Sequence, residues 1–269
     1  MPEIVSQLPA LDTLPGLLLL MTTFSGEFPA TMVSRLPGAD TYKEFAVKRL
    51  KRDKLIRSFY RDGLRGLRLT SAAKKMLLTS YPDWFQSALT GNTETNFLKS
   101  EITRRLRLHR MAEVFVLMNN IGISIFPWEK PAIFQATPIP TEFCFSQPAY
   151  YSSREVKEIG PQSSKIRGSR ATGILLTDGG IFVVYNTAAT EMKWEYKAEM
   201  RLKALVQIEL CQRRLPNQFR NVPQDAIVFG SSMKQMEWLM GIESKVFCTF
   251  DRKEKPIKQN LNEKAIFKN

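Results

Sequence analysis

The chain has 269 residues, which exceeds one small module and fits two domains of ordinary size. Hydrophobic residues make up 43% and charged residues 24%, a composition that excludes a wholly disordered chain. Thirty-nine Lys and Arg against 26 Asp and Glu give a net charge of +13, which favours a polyanionic partner.

The chain begins with two predicted short helices. The apolar stretch Leu17–Phe24 predicts the first, and Ala30–Leu36, which follows a proline, predicts the second. The longest apolar run here, Leu17–Met21, spans five residues and has no basic leader, so it fits neither a signal peptide nor a membrane span. We therefore expect a cytoplasmic protein without a membrane partner.

A basic helix is predicted next, over Tyr42–Leu55, with Thr41 as its N-cap. We expect Phe45, Val47 and Leu50 to face the core. The cations of this helix would then lie on its other side, at Lys48, Arg49, Lys51 and Arg52. Such a helix is a candidate recognition helix.

A hairpin and a further helix follow. Leu55–Tyr60 and Leu64–Thr70 flank an Asp62-Gly63 turn, a pattern typical of a β-hairpin. Thr70 or Ser71 can cap a helix that runs through Leu78. The order helix, helix, basic helix, hairpin, helix predicts a winged helix-turn-helix domain over residues 10–90, with an arginine-bearing wing.

Positive charge is concentrated in this domain. Residues 41–75 hold 12 Lys and Arg against three acids and thus supply nine of the thirteen net charges. Such clustering is explained by neutralisation of DNA phosphates; the alternative is a basic protein-binding surface. The candidate DNA-binding residues are Tyr42, Lys43, Lys48, Arg49, Lys51, Arg52, Arg61, Arg65 and Arg68.

A long helix is predicted over residues 94–120, where apolar residues keep a helical spacing. Its middle carries Arg104, Arg105, Arg107 and Arg110. Three roles fit it: a connector between domains, a helix for homodimerisation, or a second face that contacts phosphates.

The second half predicts an α/β domain over residues 122–250, followed by a charged tail over 251–269. Its clearest feature is a hairpin over Thr172–Thr187, whose turn is Asp178-Gly179-Gly180. The other predicted elements are helices over Arg154–Ile159, Glu191–Leu210 and Ser231–Met240 and strands over Ala226–Phe229 and Val246–Phe250.

Catalytic and cofactor motifs are absent from the sequence. The lone histidine, His109, lies in the arginine-rich helix, where we interpret it as a surface or DNA-proximal residue. Phosphate-binding glycine loops and histidine-containing metal motifs are missing, so no cofactor, metal or catalytic residue is assigned. The cysteines at 144, 211 and 248 lack zinc-knuckle spacing and indicate a reducing compartment.

A magnesium-dependent nuclease is the remaining enzymatic alternative. Asp178, Glu191 and Lys193 are its only candidate set, but no acid ends the neighbouring strand as such a site requires. We interpret Asp178 as a turn residue and Glu191 as a first-turn helix acid. Glu199 and Lys203 are expected to form a pair on a solvated helix face.

Several stretches resemble the replication-relaxation proteins of bacterial plasmids and conjugative elements, especially those of gut Firmicutes. They are LRLTSAAK at 67–74, YYSSREVK at 150–157, RATGILLT at 170–177 and VYNT at 184–187. The resemblance implies a winged helix joined to a C-terminal domain similar to the restriction-nuclease fold, here in an inactive form.

Together these features predict an α+β protein with an N-terminal winged helix-turn-helix domain, a long connecting helix and a C-terminal α/β domain. The resemblance implies that the C-terminal domain has a degenerate restriction-nuclease-like fold. We expect a non-enzymatic protein that binds double-stranded DNA in replication, transfer or transcriptional control of a mobile element. The alternatives are a nuclease or relaxase-like enzyme and a protein-interaction adaptor with a basic face.

Overall fold

The computed structural model describes residues 7–134, 144–157, 168–188, 195–234, 236–237 and 241. The chain divides after Gly122 into two units. Within these described residues, each unit contains helices and one small sheet, so the fold is mixed α+β.

The first half of the first unit follows the predicted order of elements. These are α1 (Leu14–Ser25), β1 (Phe28–Pro29), a 3-10 helix (Ala30–Arg35), α2 (Asp40–Arg52), β2 (Ile56–Arg61) and β3 (Leu64–Leu69). The predicted N-cap at Thr41 is wrong, because Ala39 is the extended residue that precedes α2 and Asp40 already belongs to its first turn.

The three strands form an antiparallel sheet in the order β1-β3-β2. The hairpin is confirmed: Arg61 pairs with Leu64 across a two-residue turn. Asp62 and Gly63 both have positive φ angles, 52° and 74°, as the tight turns that match strand twist require. The central strand β3 is buried along most of its length, since helix α1 packs against it.

Four helices complete this unit: α3 (Ser71–Ser80), α4 (Pro82–Leu89), α5 (Gly91–Leu98) and α6 (Ile102–Asn120). The predicted cap of α3 is confirmed, because the Thr70 hydroxyl oxygen accepts a hydrogen bond from the Ala73 amide at 3.1 Å.

The single long helix predicted over 94–120 is wrong. Lys99 and Glu101 have extended backbones, with ψ angles of 135° and 131°. Helix α5 therefore ends at Leu98, and a separate helix, α6, begins at Ile102. The Lys99 carbonyl oxygen accepts a hydrogen bond from Arg68 at 3.4 Å, a partner the local pattern does not reveal. Helix α6 packs against α1 and β1 and is therefore part of the first unit.

The second unit contains β4 (Ala149–Ser152), α7 (Ser153–Lys157), β5 (Gly173–Leu176), β6 (Ile181–Asn186), α8 (Tyr196–Val206), a π-helix (Gln207–Arg214), α9 (Pro216–Phe219) and β7 (Gln224–Phe229). Its sheet has the order β4-β5-β6-β7. The predicted hairpin is β5–β6, and β7 pairs parallel with β6 after the helical crossover.

The core of the second unit lies where this sheet meets the crossover helices. Leu176, Val183 and Tyr185 from the strands and Leu202 and Leu210 from the helices belong to one buried cluster. The predicted start of a helix at Glu191, the strand over Val246–Phe250 and the tail over 251–269 lie outside the described residues.

Candidate nucleic-acid interface

Helix α2 presents three candidate cations to solvent. The side chains of Lys48 and Arg52 are 78% and 70% exposed, and that of Arg49 is 40% exposed. Lys48 pairs with Glu44 at 3.4 Å, whereas Arg49 and Arg52 share Asp53 at 3.7 and 3.0 Å. Ion pairs this exposed contribute little, so phosphates can compete for these cations.

The buried face of α2 differs from the predicted one. Ala46 and Leu50 face the core together with the stem of Lys43, while Phe45 is 48% exposed and Val47 is half-buried. The expectation that Phe45 packs in the core is therefore wrong. Lys43 and Ala46 are three residues apart, and Ala46 and Leu50 are four apart, so the three lie on one stripe of the helix. The long lysine stem can cover apolar surface.

Lys43 was predicted to bind DNA, but its ammonium group points into the protein. It donates hydrogen bonds to the Ser34 carbonyl oxygen at 2.8 Å and to the Asp40 carboxylate at 3.0 Å. These bonds tie α2 to the preceding 3-10 helix. Lys51, another candidate, is half-buried, whereas Tyr42 is 44% exposed.

The hairpin separates its arginines into two groups. Arg61 and Arg65 are exposed near the turn, as a wing that contacts DNA requires. Arg68 is only 4% exposed and forms an ion pair with Glu27 at 2.7 Å. The assignment of Arg68 to the DNA-binding surface is therefore wrong, because its guanidinium is buried and paired with an internal carboxylate.

Glu27 is the centre of a buried charge cluster, together with Arg68, Arg105 and His109. Both Glu27 and Arg105 are fully buried, and their closest oxygen–nitrogen distance is 2.6 Å. His109 Nε2 lies 2.8 Å from the same carboxylate. Of the three roles that fit the arginine-rich helix, a phosphate-contacting face therefore does not include Arg105. His109, interpreted as a surface or DNA-proximal residue, has a side chain that is only 12% exposed and lies against Glu27.

The cluster changes the acidity of Glu27. Burial by itself raises the pKa of this carboxyl, but hydrogen bonds from His109, Arg105 and Arg68 outweigh burial and lower the pKa from 4.5 to about 2. Glu27 therefore stays negatively charged in the protein interior, where it compensates the two guanidinium groups.

Arg105 also fixes the tip of the hairpin. Its guanidinium donates to the Arg61 carbonyl oxygen at 2.6 Å and to the Leu64 carbonyl oxygen at 3.0 Å, on the two sides of the turn. The Phe59 ring lies 4.7 Å from the Arg105 guanidinium and 3.8 Å from that of Arg68. Helix α6 thus sets the position from which Arg61 and Arg65 project.

The N-terminal end of α2 carries an aromatic pair, of which only Tyr42 is among the candidate residues. The rings of Tyr42 and Phe45 are stacked, with centroids 6.0 Å apart and an angle of 13° between their planes. Tyr42 was a candidate, but Phe45 was assigned to the core. The helical spacing from Ala46 and Leu50 was the available signal, because it places Phe45 on the opposite side.

The second unit contains one correction to the candidate residues. Glu199 was expected on a solvated face with Lys203, but it is fully buried. Its carboxylate accepts hydrogen bonds from Ser169 Oγ at 2.9 Å, the Arg170 amide at 2.6 Å and the Tyr185 hydroxyl at 2.9 Å. This network joins α8 to the sheet and has a structural role.

The proposed nuclease residues do not form a described site. Asp178 lies in the exposed β5–β6 turn, where its carboxylate accepts the Gly179 amide at 2.9 Å, and Glu191 and Lys193 lie outside the described residues. Among the residues whose structure is described, no group of three or more His, Cys, Asp or Glu side chains could hold a metal ion.

In the part of the chain that the structure describes, no helix combines the length and apolarity that crossing a membrane requires. No family model, curated protein or solved structure matches this chain.

Proposed function

We propose that the protein binds double-stranded DNA through its first unit, which acts as a winged helix with α2 as recognition helix and β2–β3 as wing. The observation that carries the proposal is the joint exposure of Lys48 and Arg52 on α2, with the half-buried Arg49 between them, and of Arg61 and Arg65 on the hairpin. The element order and the sheet order β1-β3-β2 support it as well.

The electrostatic term would dominate this binding. Each lysine or arginine that neutralises a phosphate releases counterions, so affinity falls steeply as salt rises. The α2 cations supply the phosphate contacts along one side of the major groove, and the wing arginines supply those beside it. Catalysis has no role in this proposal.

The test measures affinity of the full chain for a mixed-sequence duplex at several salt concentrations. In the variant Lys48→Ala/Arg49→Ala/Arg52→Ala we expect binding to be lost at moderate salt. The negative slope of log K against log salt should become shallower by about 2.7. The matched control, Lys197→Ala/Arg201→Ala/Arg220→Ala, removes three exposed cations of the second unit and should bind like wild type.

Two results would contradict the proposal. One is salt-independent binding by the wild type; the other is equal loss of affinity in the two triple variants, which would indicate a response to net charge alone. Incubation with magnesium should leave the duplex intact, and cleavage would instead establish an enzyme.

For the biological setting we propose replication, transfer or transcriptional control of a plasmid or conjugative element, which rests on the sequence resemblance. Genes for a relaxase or a replication protein beside this one would support that setting.

A further inference from the structure

We propose that the stacked Tyr42–Phe45 pair recognises DNA sequence by contacting the 5-methyl groups of thymines in the major groove. The inference rests on the proposed function and assigns sequence preference to two residues of that surface. The ligand group is an apolar methyl on the edge of a base, and each of the two side chains that would contact it is nearly half exposed.

The exposure of the pair is the first argument. Phe45 is 48% exposed and Tyr42 44% exposed, and each ring packs against the other. Ala46 and Leu50 of the same helix are fully buried, and Leu50 lies on the side of α2 away from Phe45. Two adjacent rings in water form an apolar patch, and covering this patch with a partner lowers the free energy.

The surrounding charge is the second argument. The next turns of the same helix carry the exposed cations Lys48, Arg49 and Arg52, so the partner must combine negative charge with an apolar spot. Asp40, the acid before the pair, is already joined to Lys43 at 3.0 Å. An acidic double helix satisfies both demands, because phosphates line the groove and base edges form its floor.

The dimensions agree with this placement. From the aromatic pair to Arg52 is about nine residues, or about 13 Å along the helix axis. The major groove is about 12 Å wide. With the N-terminal end of α2 at the bases, as recognition helices commonly dock, Arg52 therefore reaches the phosphate wall.

Thymine follows from the chemistry of Phe45. A phenyl ring has no hydrogen-bonding group, so it cannot discriminate among the donors and acceptors of the major groove. The thymine methyl is the only apolar group that an unmodified base pair presents there. Contact between Phe45 and a thymine methyl therefore buries apolar surface on both sides. Contact between Phe45 and any other base edge leaves polar groups of that base without hydrogen-bond partners.

The experiment removes that methyl group and nothing else. The full chain selects binders from a duplex pool randomised over one and a half helical turns. The enriched duplex is then synthesised with each thymine replaced singly by deoxyuracil, and affinities are measured by fluorescence anisotropy. The variants are Phe45→Ala and the control Tyr196→Ala, which removes an aromatic ring of 47% exposure from the second unit.

We expect one or more replacements to weaken wild-type binding about four-fold, the value for one buried methyl-sized group. Phe45→Ala should weaken binding to the thymine duplex and bind thymine and uracil duplexes equally, whereas Tyr196→Ala should discriminate like wild type. Because Phe45 is exposed and alanine favours helices, the variant should remain folded, which its thermal unfolding checks.

Several outcomes would overturn the inference. They are equal binding of thymine and uracil duplexes by the wild type, absence of any enriched sequence, and discrimination that persists in Phe45→Ala. In each case the proposed function survives if the triple α2 variant still loses binding. If the wild type binds no duplex at all, the proposed function fails and this inference fails with it.

Discussion

Replacing Glu27 by Gln would expose the energetic role of the buried charge cluster. Glutamine keeps the shape and one carbonyl oxygen but removes the charge that compensates Arg68 and Arg105, which are 4% and 0% exposed. Breaking a buried ion pair while leaving its partner charged costs about 3–5 kcal/mol. We expect a loss of that size in the unfolding free energy of the first unit, which is a large part of a typical domain's stability.

The lowered pKa of Glu27 gives a second value for the contribution of its charge to the free energy of unfolding. Its pKa falls from 4.5 to about 2 on folding, and each pKa unit corresponds to about 1.4 kcal/mol, so the charged form contributes about 3 kcal/mol. Because the pKa is lower in the folded state, this contribution is present above pH 4.5. It is lost as the pH falls towards 2. Glu27→Gln should lack this portion of the acid sensitivity.

The assay is urea unfolding of the full chain from pH 7 down to pH 2, with hydrogen exchange of the β2 and β3 amides reporting on the first unit. The control is Glu94→Gln, which removes the partly exposed acid that pairs with Lys74 at 2.7 Å and should cost less than about 1 kcal/mol. Equal stability losses in the two variants, or parallel acid profiles for Glu27→Gln and wild type, would refute the reasoning.

Three further substitutions test local packing and hydrogen bonds by thermal unfolding. Gly66→Ala places a Cβ atom in steric conflict with Glu27 Oε1 and should destabilise the first unit by about 1–3 kcal/mol. Thr70→Ala removes the cap of α3 and should cost about 1 kcal/mol. Tyr185→Phe deletes the hydroxyl that donates to buried Glu199 and should cost the second unit about 1.5–3 kcal/mol.

Each of these variants has a matched control. Gly179→Ala adds a methyl group with no atom within 4 Å, Thr79→Ala changes an exposed threonine within α3, and Tyr196→Phe removes an exposed hydroxyl. We expect all three controls to stay within about 0.5 kcal/mol of wild type. A control that loses as much stability as its partner would contradict the cause assigned to that partner.

The sequence predicted the elements that local signals specify. The Asp62-Gly63 turn, the Thr70 cap and the hairpin over Thr172–Thr187 depend on residues a few positions apart, and the structure has all three. Glycine at a positive φ angle and threonine before a helix act through their immediate neighbours, so one sequence suffices to find them.

The errors over Arg68 and Glu199 have a different cause, which is a partner distant along the chain, whereas those over Thr41 and Phe45 concern local helix geometry. Arg68 is among the candidate DNA-binding residues because one face of a hairpin is commonly solvated. Here Glu27, 41 residues away, and Arg105, 78 residues from Glu27, cover that second face. Neither spacing has a local pattern, so an arginine that neutralises an internal carboxylate looks the same in sequence as one that binds phosphate.

The bonds from Arg105 to the Arg61 and Leu64 carbonyl oxygens have a consequence for the thermodynamics of association. A free hairpin tip loses conformational entropy when a partner immobilises it, and this loss weakens binding. In this protein the hairpin tip is already held by Arg105 in the folded state, so binding of a partner does not have to order it. Under the proposed function, replacing Arg105 would therefore weaken affinity for DNA by loosening the tip.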